Sequence, residues 1–81
     1  MEVTEGAGMT QREDPLAQAE RHVREAEERI GRQLEIIAEL DRDGHDRMAA
    51  KARHLLAIFQ QTLGLAHDHL RRERRERGLE S

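Results

Sequence analysis

Apolar residues recur along the first half of the chain at Leu16, Ala19, Val23, Ala26, Ile30, Ile37 and Leu40, three and four apart, with Gln33 the one polar residue in the series. That spacing puts them on one side of an α-helix and matches the heptad seam of a helix lying along a partner helix. The period resumes at Met48 and runs through Ala52, Leu55, Phe59, Thr62, Ala66 and His69, beside a second row at Leu56, Leu63 and Leu70. The pattern predicts two long helices and an all-α fold.

Between them lies Asp41-Arg42-Asp43-Gly44-His45-Asp46. Gly44 suits the left-handed conformation that ends a helix, and Asp46, or failing it Asp43, suits the cap of the next one. A connection of roughly four to six residues makes neighbouring helices antiparallel. The expectation is therefore a hairpin, with helix one over residues 15–41, a turn over 42–45 and helix two over 46–77. Asp43, Gly44, His45 and Asp46 are its turn residues. Asp14-Pro15 opens helix one, Asp14 as N-cap and Pro15 at the first helical position, where a missing N–H is harmless. Residues 1–13 show no period and carry Gly6 and Gly8, so they are expected to form a disordered tail, as are residues 78–81.

Folding the seams together about Gly44 brings Leu40 near Met48, Gln33 near Leu55, Ile30 near Phe59 and Val23 near Ala66. The expected hairpin core is Val23, Ile30, Ile37, Leu40, Met48, Leu55 and Phe59. Leu34, Ile36, Leu56, Ile58, Leu63, Leu65 and Leu70 are then left uncovered, more apolar surface than a soluble monomer ordinarily keeps. Length sharpens the point. A chain of 81 residues without cysteine cannot use disulfides, and chains this short generally need a disulfide, a metal or a partner chain. The expectation is a homodimer closing into a four-helix bundle through those seven residues.

Composition agrees with helices: Ala, Leu, Glu and Arg dominate, with one Pro, one Phe and no Trp or Tyr. Glu20 with Arg24, Glu25 with Arg29 and Glu28 with Arg32 stand four apart in the order that supports a helix. No apolar run is long enough for a signal peptide or a membrane span, and no lipidation motif is present, which predicts a cytoplasmic protein with no membrane role.

Little in the chain suggests chemistry. Ser81 is the only serine, cysteine is absent, and no glycine-rich loop could cradle a phosphate. The expectation is a protein that is not an enzyme and takes no cofactor. His22, His45, His54, His67 and His69 are many for this length, but His67 and His69 are two apart, and helical ligand pairs stand three or four apart. A metal bound by histidines, with His22 near His67 and His69 as its nucleus, is the third-ranked reading. The second is nucleic-acid binding. The net charge of −3 gives no general attraction to phosphates, but Arg71, Arg72, Arg74, Arg75 and Arg77 form a basic helix end, interrupted by Glu73 and Glu76. Cations at a helix C-terminus also suit the helix dipole, which accounts for the run without any ligand.

The turn Asp43-Gly44-His45-Asp46, the apolar end Ile37-Ala38-Glu39-Leu40 and the run Leu55-Leu56-Ala57-Ile58-Phe59-Gln60-Gln61-Thr62-Leu63 together resemble a group of short, uncharacterised bacterial helical-hairpin proteins. These share a Gly-His-Asp turn and a Leu-Leu-x-x-Phe-x-x-Thr-Leu second helix. The resemblance spans about residues 20–75 and implies a bacterial cytoplasmic origin and the hairpin fold; it carries no activity onto any residue. The first-ranked expectation is thus a small self-associating or adaptor module whose partner is a second copy or another helical protein.

Overall fold

The computed structural model describes residues 14–78. Asp14 opens the first helix, its carboxylate accepting the Ala17 N–H at 3.4 Å and its carbonyl accepting the Gln18 N–H at 2.9 Å. Pro15 begins α1, which runs Pro15–Arg42 over 28 residues. The second helix, α2, runs Asp46–Glu76 over 31 residues, and the two fold back on each other as an antiparallel hairpin.

Gly44 makes that reversal. Its φ is +76°, its N–H donates to the Asp41 carbonyl at 3.2 Å, and the His45 N–H donates to the Leu40 carbonyl at 2.9 Å. These paired bonds are a Schellman end, which needs a residue in the left-handed region. The start of α2 corrects the expected cap. His45, with φ −87° and ψ 70°, is the residue that precedes the helix, and its carbonyl takes the Ala49 N–H at 2.9 Å. Asp46 is already the first helical residue and His45 makes no side-chain cap bond. Asp46 acts instead as a negative charge at the positive end of the helix dipole. Gly78, expected in a loose terminus, closes α2 with φ +72° and an N–H bond of 3.0 Å to the Arg75 carbonyl. The expected tail over residues 1–13 and the end over 79–81 lie outside the described residues.

The face of α1 that meets α2 carries Ala19, Val23, Ala26, Gln33 and Ile37, all buried, with Leu16, Ile30 and Leu40 half-buried. The opposite face of α2 differs from expectation by a small rotation about its axis. Ala49, Ala52 and Leu70 are buried, Leu56, Phe59, Leu63 and Ala66 half-buried, whereas Met48 is 58% exposed and Leu55 41% exposed. Met48 and Leu55 therefore leave the core assigned to them. Leu56, Leu63 and Leu70, assigned to an outer interface, turn inward; Leu70 and Leu63 pack with Ala19 and Val23.

Side-chain size explains the rotation. Ala19 and Ala49 are fully buried and Ala26 and Ala52 nearly so. A small residue on one helix leaves room for the larger side chain facing it, as Ala52 does for Gln33 and Ala19 for Leu70, and a Met48 side chain wedged into the seam would hold the axes apart. Gln33 fixes the same setting, since its side-chain amide donates to the Ala52 carbonyl at 2.9 Å inside the seam. A buried amide without that partner would carry a desolvation penalty of about 1–3 kcal/mol. Each end of the hairpin is also tied across. Arg53 donates to Asp41 beside the turn, and Arg77 donates to Asp14 at the open end.

Candidate interaction surface

The rotation of α2 leaves some of its large apolar side chains on one outer stripe. Met48, Leu55, Ile58 and Leu65 are exposed, Leu65 by 65%, and their positions fall on one flank of a helix of 3.6 residues per turn. Thr62 lies within the stripe. Its hydroxyl donates back to the Ile58 carbonyl at 3.1 Å, so its polar atom is satisfied within α2 and the methyl completes the apolar line.

On α1 the same side of the hairpin is mixed in character. A groove of about 320 Å³ between the helices, toward the open end, brings His22, Glu25 and Arg29 of α1 beside Thr62, Leu65 and His69 of α2, with Ala26 and Ala66 between them. Ile36 is exposed and lies seven residues beyond Arg29, hence on this side too. Leu34 is exposed as well, but residues two apart on a helix point nearly opposite ways, so it belongs to the other flank. Of the seven residues expected at an interface, Ile36, Ile58 and Leu65 share the outer face, Leu34 lies away from it, and Leu56, Leu63 and Leu70 face α1. Met48, Leu55 and Thr62 belong to that face although the heptad reading puts them inside.

Charge on this side is held locally. Glu25 is engaged by Arg21 at 3.1 Å rather than by Arg29, whose guanidinium carbon lies 5.7 Å from the centre of the Phe59 ring. That placement is a cation–π contact and covers one side of the half-buried ring.

Neither the histidines nor the arginines assemble as a ligand cluster. His22 and His69 line the same groove, but His67 does not, and His69 lies 3.6 Å from Glu73 on its own helix. Among the described residues no three His, Asp or Glu side chains converge to hold a metal ion. The arginines divide. Arg77 pairs with Asp14, Arg71 approaches Asp68 at 3.5 Å, and Arg74 also has a partner. Arg72 and Arg75 are exposed and carry no ion pair among the described residues; with Arg71 and Asp68 they line a shallow depression on the outside of α2. The Arg77 guanidinium beside Asp14, with the helix N–H groups, holds the Asp14 carboxyl below its ordinary value of 3.8.

No helix among the described residues is long and apolar enough to cross a membrane. No protein-family model, curated protein or solved structure matches the chain.

Proposed function

We propose that this chain is a small, non-enzymatic interaction module that works by associating with itself through the outer face of the hairpin. The observation that supports this best is the gathering of Met48, Leu55, Ile58 and Leu65 into one exposed stripe, with Ile36 on the same side. An apolar stripe of that kind on a short hairpin is an interface rather than a random scatter of surface leucines. A second observation supports it from inside. Ala19, Ala26, Ala49 and Ala52 are among the buried residues of the seam, and among the described residues no large side chain is fully buried, so the hairpin has little core with which to offset the entropy of ordering two helices. A partner surface supplies what the seam lacks.

Sedimentation equilibrium across the micromolar range tests the reading, with circular dichroism on the same samples. The unaltered chain is expected to be a helical dimer. The variant carrying Leu55→Glu and Leu65→Glu is expected to be monomeric and to lose most of its helicity, while Ala50→Glu, on an exposed position away from the stripe, leaves the dimer intact. A well-folded monomer of the unaltered chain would overturn self-association.

The second reading, nucleic-acid binding by the basic end, is favoured only by Arg72 and Arg75, which have no acidic partner among the described residues. It requires a labelled RNA or DNA to shift at low salt and to be released as salt rises. No shift at low salt removes it.

A further inference from the structure

The large exposed apolar residues of α2 are spaced seven, three and seven apart: Met48, Leu55, Ile58, Leu65. That series reads the same from either end. Its midpoint falls between Leu56 and Ala57, so a two-fold axis crossing α2 there at right angles would set Met48 of one copy against Leu65 of the other, and Leu55 against Ile58. The same operation sets Thr62 against Lys51, whose alkyl stem can lie over a threonine methyl while its ammonium reaches water.

The first helix fits the same axis. Gln33 is level with Ala52 through their hydrogen bond, so the axis crosses α1 at Glu28 and Arg29. Glu25 of one copy then stands opposite Arg32 of the other, and the pair occurs twice. Arg29, close to the axis, is turned onto its own Phe59 ring.

Resting on the self-association reading above, we infer that the second copy docks antiparallel, with α2 on the partner's α2, α1 on its α1, and the two turns at opposite ends of a four-helix bundle. The competing two-fold axis runs along the helices and lays α1 over the partner's α2, with both turns at one end. That arrangement presses Glu25 and Arg29 onto the partner's Leu55, Ile58 and Thr62, where charged groups lose water and gain no opposite charge. The antiparallel arrangement covers the apolar stripe of α2 with its own copy and sets Glu25 against Arg32.

Because the chain has no cysteine, single thiols report the arrangement directly. Met48→Cys and Leu65→Cys are prepared separately, mixed, allowed to exchange subunits, and treated with a short bismaleimide. Crosslinked dimer is expected from the mixture and not from either variant alone, since two copies of position 48 lie ~25 Å apart at ~1.5 Å per residue. A nitroxide on Asp43→Cys, beside the turn and off the stripe, gives an independent readout that leaves the interface unaltered. Its pulsed dipolar distance is expected above ~30 Å, the span between turns at opposite ends at ~1.5 Å of rise per residue. Sedimentation of the unaltered chain accompanies both. A dimer in which Met48→Cys crosslinks to itself, in which nothing crosslinks, or whose Asp43 labels lie close together overturns the antiparallel arrangement and leaves self-association standing. A monomer overturns both.

Discussion

Single residues in this hairpin act through conformation and hydrogen bonding more than through bulk. Gly44 sits at φ +76° with open space where a Cβ would project, so Gly44→Ala meets no clash and carries only the strain of the left-handed region. It should cost ~1–2 kcal/mol in urea unfolding. Gly31 and Gly64 are the reverse case. Each lies inside a helix at an exposed position, with nothing within 4 Å of an added Cβ. Gly31→Ala and Gly64→Ala should therefore each stabilise the protein by ~0.5–1 kcal/mol, read as a higher urea midpoint at an unchanged slope. Gln33 separates bonding from packing. Gln33→Ala removes the bond to the Ala52 carbonyl and opens a gap in the seam, and should cost ~1–3 kcal/mol. Gln33→Met keeps the volume and loses only the bond, so it should stay within ~1.5 kcal/mol of the original. Equal losses from the two variants would mean that packing at this position matters little.

At the scale of the element, α1 was readable in the sequence and α2 only in part, for a physical reason. The inner face of α1 has one apolar row, so its period admits a single orientation, and even polar Gln33 lies in the row. Helix α2 carries two adjacent rows, one through Met48 and Leu55 and one through Leu56, Leu63 and Leu70, either of which satisfies the period. Their hydrophobicity cannot separate them. The choice is made by Ala49 beside Ala52, which lets the helices approach, and by the carbonyl that Gln33 requires. That signal is present in the sequence as small residues three apart, but it has meaning only opposite Gln33, whose amide reaches the Ala52 carbonyl. The same limit applies to the cap, where Asp46 has the right chemistry and the Schellman turn sets the boundary one residue earlier. The pairing of α1's N-terminus with α2's C-terminus has a titration consequence. Asp14 is held below its ordinary value first by the hydrogen bond from Arg77 and then by the Ala17 N–H. Its folded form thus releases the proton more readily than the unfolded chain. The resulting stabilisation is complete above the ordinary value and is lost as pH falls through the lowered one. Unfolding midpoints taken between neutral pH and about pH 2 should show an acid-side loss that is smaller in Asp14→Asn. The same loss in both proteins would place it on other carboxylates.

At the scale of the whole molecule, ion pairs tie the helices at each end, Arg53 to Asp41 and Arg77 to Asp14, and both are exposed pairs. Exposed pairs of this kind contribute ~0–1 kcal/mol each, and the alanine seam between them contributes less than a seam of leucines would. Met48, Leu55, Ile58 and Leu65 stand outside on α2, where they stabilise the fold only if something covers them. Under the self-association proposed above, folding and association are a single event, and stability is expected to depend on how much protein is present. For a folded dimer in equilibrium with unfolded chains, each tenfold rise in concentration adds ~1.4 kcal/mol per dimer. For two 81-residue chains, that corresponds to a melting temperature higher by about 3–6 °C. Thermal unfolding followed by circular dichroism at 5, 50 and 500 micromolar (about two decades, chosen to span the expected association range) should show this climb in the unaltered chain and in Gly31→Ala, which strengthens α1 without touching the outer face. It should be absent from the Leu55→Glu, Leu65→Glu variant. A melting temperature that stays constant over that range in the unaltered chain would mean that the hairpin holds itself together, and the outer stripe would then have to answer to a partner other than its own copy.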